Sequence, residues 1–340
     1  MRDHVGFLFV LVFSLVWSTV DAQPYPDSAR TSELAAVQSA LYNERFAEAD
    51  SIARAMIDRT PGDPAGYLFR AAAMLSEMTA FEENLYGELF TDLIDTSQSL
   101  AEKQSIQSTG RTRAWMQLYR GHAHAYRALW ESRFGSFVGA VRNGFAARNE
   151  YEDGLRADSS VYDLYLGLGS YHYWKSARAG MLRWVGLLSN DKDRGIRELR
   201  LAADSSLVFR DAARQALIWV MLDRKEYDSA KVMAEEAHGK YPDGNLFLWP
   251  LAQAQYELKE YRDAIATYRM IRERLDVTRG NYYNLIEADY RLSMCYEKVQ
   301  EMEHARAIAR GVRAYLDDVP KRIRQLHRQA LGYLQQLART

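Results

Sequence analysis

Apolar positions along this chain recur at helical spacing, and few stretches break the period. The spacing predicts a first hairpin over residues 32–59, broken near Asn43-Glu44. Two longer helices are predicted over Ala65–Glu83 and Leu85–Gln104, with a loop at Ser108–Arg111. A helix over Thr112–Arg133 comes next, then "FGS" turns the chain into a helix over Phe137–Arg156. "ADSS" ends that pair at Ala157–Ser160 and returns 46 residues later at Ala203–Ser206, each time ahead of a new helix. Near the end, Ile323, Leu326, Ala330, Leu334 and Leu337 share one face of a helix over Pro320–Ala338, which would cap the last hairpin. Only seven prolines and 20 glycines are available to punctuate 340 residues, which favours helix over a turn-rich β fold. The expectation is an all-α chain.

A finer repeat lies inside this pattern. "EYDSAKVMAEEA", Glu226 to Ala237, and "EYRDAIATYRMI", Glu260 to Ile271, place Tyr227 and Ala230, then Tyr261 and Ala264, at a displacement of 34 residues. Phe46 with Ala49 is an earlier copy, and Met302 with Ala305 a later one displaced by 41. The alanine lets the second helix of a hairpin approach the first. The bulky residue three positions earlier closes the turn between them, and Ala53, Ala234 and Tyr268 follow on the same face at i+4. A period of this length is the signature of a helical solenoid.

These stretches resemble tetratricopeptide repeats, over residues 30–63, 211–244, 245–278 and 286–319. "TPGDP" at Thr60 to Pro64 and "YPDG" at Tyr241 to Gly244 resemble the proline that ends such a repeat. The family's tryptophan and leucine-glycine pair are mostly missing, and Leu251-Ala252 and Leu292-Ser293 stand in their place. Residues 64–207 keep the hairpin rhythm with longer units. The resemblance implies one repeat domain over 23–340: a right-handed α-solenoid of about six or seven hairpins with a C-terminal cap. Such folds bind a protein or peptide along the concave face made by their first helices. Gly169 to Ser176, with the insertion Ser176 to Leu199, also resembles the eukaryotic family of the yeast inclusion-body clearance protein, helical-repeat adaptors without known catalysis.

The first 22 residues depart from the rest. Arg2 and His4 precede an apolar run from Val5 to Val16, and Val20 and Ala22 occupy the small positions that signal peptidase needs. Cleavage after Ala22 is expected, with export to a periplasm or cell envelope. Cys295 is the sole cysteine, so no intramolecular disulfide can form. A net charge of −1 gives no field that would draw nucleic acid. The apolar block Met181 to Leu188 and the basic run from Arg306 to Arg328 are candidates for a membrane contact, which is not the favoured expectation.

Candidate chemistry is sparse. His122 and His124 are two apart on a helix and face different ways, so they do not suit one metal ion, and no metal or other cofactor is expected. "GLGS", Gly167 to Ser170, lies inside a helical pattern and lacks the flanking strand of a phosphate loop. No nucleophile signature is present, and an enzyme is not expected. The aromatic density of the centre is the sharpest feature. Tyr119, Tyr126 and Trp130 recur along one first helix, Tyr165 and Tyr173 along the next, and Arg127 stands among them. These six are the candidate partner-binding residues, because tyrosine, tryptophan and arginine are the common anchors of binding sites. The alternative is a small-ligand binder or an enzyme that uses this aromatic region, residues 112–190.

Overall fold

The chain starts its first helix on a side-chain cap: the Asp27 carboxylate accepts the backbone N–H of Arg30 and opens α1 (Ser28–Tyr42). A tight turn leads to α2 (Phe46–Arg59), and Asp63 with Pro64 caps α3 (Pro64–Phe81). Three long central helices follow, α4 (Gly87–Gln107), α5 (Gly110–Phe134) and α6 (Phe137–Ala157). Then come α7 (Leu164–Arg178), α8 (Lys192–Ser205), α9 (Arg210–Asp223) and α10 (Tyr227–Lys240). The last third holds α11 (Leu248–Glu257), α12 (Tyr261–Arg274), α13 (Tyr282–Lys298) and α14 (Met302–Gly311), and ends with α15 (Lys321–Leu326) and α16 (Arg328–Leu337). This computed structural model describes residues 25–178, 190–275 and 280–339, and no strand occurs among them. The expected leader over 1–22 and the apolar block Met181 to Leu188 lie outside the described residues.

Most helices pack on their neighbours in sequence, and the buried apolar residues form two core clusters, with Leu166 and Ala212 packed against both. The alanines of the short repeat sit inside those helix interfaces. Ala49, Ala230, Ala264 and Ala305 are all fully buried. The turns before them share one geometry. Glu44, Lys225, Lys259 and Gln300 all adopt a left-handed backbone, with φ of 56°, 62°, 64° and 63°. The following N–H reaches back five residues in every case: Arg45 to the Ala40 carbonyl, Glu226 to Met221, Glu260 to Gln255 and Glu301 to Tyr296. This is a C-cap built on a left-handed residue that is not glycine.

Two expectations are modified. The loop at Ser108–Arg111 is shorter than expected, because α5 begins at Gly110. The single C-terminal helix is two helices, interrupted at His327. The break turns Leu326 out to 53% exposure, and the buried position falls to His327, whose ring lies 4.4 Å from that of Tyr283.

The two ends of the chain meet. Tyr42 at the end of α1 packs against Tyr241 and Phe247, with ring centroids 4.8 Å and 5.8 Å away. The Asp243 N–H donates to Asn43 Oδ1 at 3.0 Å. A Cβ on Gly244 would collide with the Tyr42 carbonyl, so only glycine lets these turns approach so closely. Farther along, Asn284 Nδ2 donates to the Ala80 carbonyl at 2.8 Å. Arg322 donates to the Glu82 carbonyl and to the Arg133 carbonyl, and pairs with the Glu82 carboxylate.

Candidate functional site: an aromatic interior cavity

Because the ends meet, the inward faces of the odd-numbered helices surround a cavity of about 730 Å³. From α3, Phe69, Ala72, Ser76 and Thr79 line it at helical spacing. From α5 come His122, Tyr126, Leu129 and Arg133, again one face. Tyr42, Leu166, Ala212, Gln215 and Trp249 carry the wall around, and Phe209 and Tyr151 close it from the flanks. The lining is mostly apolar and rich in rings.

Several of these rings are locked by their neighbours. The Tyr151 ring lies in a slot between α5 and α7, where a Cβ on either Gly121 or Gly167 would collide with it. That gives the "GLGS" stretch a packing role. The Tyr151 hydroxyl and His122 Nδ1 share a hydrogen bond of 3.0 Å. Burial holds His122 down to a pKa of about 4, so the imidazole is neutral at physiological pH. Phe209 packs on His122 with centroids 4.6 Å apart and on Phe69 at 5.8 Å. Phe209 is itself fixed by Asp163, whose carboxylate accepts the N–H groups of Leu207, Val208 and Phe209 at 2.8–2.9 Å and so caps the start of α9.

Charge is kept to the rim. Arg133 pairs with the buried Glu82 carboxylate, which Arg322 also meets. Across the cavity, Glu44 accepts the Asn245 backbone N–H and has Arg274 nearby, and burial raises its carboxyl above the usual range. Two phenols have no such answer. The hydroxyls of Tyr42 and Tyr126 make no hydrogen bond to a described residue, and burial raises both above the ordinary tyrosine value. They lie near enough to one another to interact electrostatically.

The six candidate residues are dispersed. Tyr126 lines the cavity. Tyr119 is wholly buried behind it and shares a hydrogen bond of 2.8 Å with the Tyr25 hydroxyl, which donates to Asp63. Trp130 donates to Asn84 Oδ1 at 3.0 Å and stacks on Phe90. Arg127 is paired with Asp95 at 2.6 Å. Tyr165 stacks on Tyr162, and Tyr173 is buried with its hydroxyl donating to Asp223 at 2.6 Å. Of the six, only Tyr126 faces the cavity; Tyr42, Phe69, Tyr151, Phe209 and Trp249 do so without having been singled out. The signal that could have found them was present. First helices were expected to face inward, and the same reasoning applied to every first helix leads to Tyr42, Phe69 and Trp249.

Other chemistry-bearing groups are structural. His124 bonds Asn143 at 3.1 Å, apart from His122, and His172 pairs with Glu198 at 2.6 Å. Cys295 is buried, which pushes its thiol up to about 12 and leaves it unreactive. Among the described residues no three histidine, cysteine or carboxylate side chains converge as a metal site would need. None of the described helices is long and apolar enough to cross a membrane. No protein-family model matches the chain, and no curated protein matches it.

Proposed function

We propose that this protein is an exported, non-enzymatic binder that holds a small, largely apolar molecule in its interior cavity. In this reading residues 23–340 form a right-handed tetratricopeptide-like solenoid of six or seven hairpins, delivered to the cell envelope by a leader over 1–22. The observation that carries it is the cavity of about 730 Å³, which falls in the range of small-molecule sites. A solenoid with an open concave face offers room for a peptide or a folded domain. Here helices from both halves of the chain line the cavity, and the contacts at Tyr42 and Asn43 join those halves. Rings left facing an open cavity forgo a burial worth about 25 cal/mol per Å². A ligand would recover it.

The test is extraction of the purified protein with organic solvent, followed by mass spectrometry of what is released. Ala216→Phe and Ala72→Phe place a ring in the cavity from two different helices. The reading expects a small molecule with the unaltered protein, and a loss of it with the filled variants while their helix content stays the same. Equal retention by all three proteins would refute it.

A second reading, the adaptor for a protein partner, is favoured by one observation. On α6, Phe137 is 82% exposed and Val138 76%, with Val141 and Phe145 exposed on the same helix. Large apolar side chains grouped on an outer face mark contact surfaces. Phe137→Asp with Phe145→Asp would abolish a partner contact there and leave the cavity ligand in place.

A further inference from the structure

We propose that the ligand of the cavity is uncharged and carries an oxygen acceptor, a ketone or similar carbonyl, to which the Tyr42 and Tyr126 hydroxyls donate. This rests on the reading of the cavity as a small-molecule site and goes on to name the chemistry of the molecule.

Three observations converge on it. The first is a pair of unanswered donors. Tyr42 is only 7% exposed, it lines the cavity, and its hydroxyl meets no described residue. Tyr126 lines the cavity beside it with the same lack. Both hydroxyl oxygens open onto the cavity rather than being sealed in the core, so together they stand as two donors toward a molecule that enters it. The neighbouring phenols are all satisfied: Tyr151 by His122, Tyr241 by Asp211 and Tyr119 by Tyr25.

The second is the sign of the donors. Burial raises the phenol groups of both tyrosines, so they stay protonated and offer O–H to an acceptor across the physiological range. His122, one ring away from Tyr126, stays neutral there. The charged side chains that line the cavity are Glu44 and Arg133, and the Asp211 carboxylate near Tyr42 is already taken up by Lys240 and Tyr241. The charged groups at the rim are matched already, Arg133 and Arg322 with Glu82, and Glu44 with the Asn245 N–H beside Arg274. An ionised ligand group placed between Tyr42 and Tyr126 would lose its hydration without gaining a counter-charge. A neutral carbonyl loses little and gains two hydrogen bonds.

The third is the shape of the remaining wall. Phe69, Phe209 and Trp249 present rings to the same space, which suits a flat or ring-containing body attached to that oxygen.

The experiment compares three probes of nearly one shape by calorimetric titration of the purified protein: acetylnaphthalene, a neutral ketone; isopropylnaphthalene, its hydrocarbon isostere; and naphthoate, the anion. The proposal expects the ketone to bind about tenfold tighter than the hydrocarbon, and the anion weakest. Tyr42→Phe with Tyr126→Phe keeps both rings and should bring the ketone to the affinity of the hydrocarbon, which itself stays unchanged. The single variants, checked for folding by circular dichroism, should each remove part of the difference. Equal affinity for ketone and hydrocarbon in the unaltered protein would overturn the proposal and leave the cavity reading standing. Naphthoate binding tightest, with its advantage lost in Arg133→Gln, would also overturn it and would reassign recognition to the rim arginines. Binding of none of the three by folded protein would remove the small-molecule reading and this inference with it.

Discussion

Gly121 and Gly167 are two residues on different helices whose missing side chains hold one tyrosine in place. A methyl group at either would overlap the Tyr151 ring. Gly167→Ala is therefore expected to cost about 1–3 kcal/mol, the range for inserting atoms into a packed interior. The midpoint of urea unfolding reads it, and an unshifted midpoint would mean that the slot is not tight. His122 is the next link. Burial lowers its pKa from the ordinary 6.5 to about 4. Between those values the unfolded chain binds a proton that the folded chain does not, so stability rises with pH through that window. It is fully present above pH 6.5 and is lost as pH falls toward 4. The loss between pH 7 and pH 5 from this one group is about 2 kcal/mol. Glu44 and Asp289, whose carboxyls burial pushes up, act in the opposite sense, so the useful quantity is a difference between two proteins. His122→Gln removes the titration. Its urea midpoint should vary less between pH 7 and pH 5 than that of the unaltered protein, and identical pH dependence would contradict the assignment. None of this could be read along the chain. Gly121, Tyr151, Gly167 and Phe209 come from four separate segments, and no local pattern shows that they touch.

At the scale of the element, the sequence was far more legible. The bulky residue and alanine at Phe46–Ala49, Tyr227–Ala230, Tyr261–Ala264 and Met302–Ala305 identified four hairpins, and in each the alanine is fully buried. The signal was strong because a single small residue decides how closely two helices approach. Ala264→Leu should therefore destabilise by about 1–3 kcal/mol. The turns themselves were not legible. Their left-handed residues are Glu44, Lys225, Lys259 and Gln300, none of which is a usual turn former. A side chain in that conformation costs about 1–2 kcal/mol, which glycine avoids, although glycine also gives the unfolded chain more freedom. Lys259→Gly should accordingly stabilise by about 0.5–1 kcal/mol, read as a higher urea midpoint. Glu44→Gly would be a poorer test, since the Glu44 carboxyl also accepts the Asn245 N–H. The C-terminal cap was half legible. Its apolar spacing located Ile323, Ala330, Leu334 and Leu337 on the buried side, and missed Leu326 because the break at His327 resets the phase.

For the whole molecule, the decisive feature is that the chain meets itself, and the contacts responsible join residues about 200–240 positions apart. Sequence periodicity describes only neighbours, so it could not show that helices from both halves of the chain line one cavity. The strongest of the long-range contacts centres on Glu82. Its carboxylate is buried between Arg133 from α5 and Arg322 from α15, and its carbonyl accepts from Arg322 as well. Glu82→Ala would leave the two guanidinium groups facing each other without a counter-charge. Both arginines are partly exposed, so solvent relieves some of that repulsion. The expected cost is about 2 kcal/mol, below the full range for breaking a buried pair. The location of the effect matters more than its size. Amide exchange should quicken in α13 and α15, which hold the closure at Asn284 and Arg322, while α10 and α12 stay as protected as before. Arg322→Ala should produce the same pattern, and the double variant should cost less than the sum of the two, since both changes break one contact. If exchange in α13 is unchanged in both variants, the ends are held by the Tyr42 seam alone. The cavity would then not depend on the Glu82 cluster. If it quickens and the cavity ligand is released with it, the closure of the chain is what makes the site.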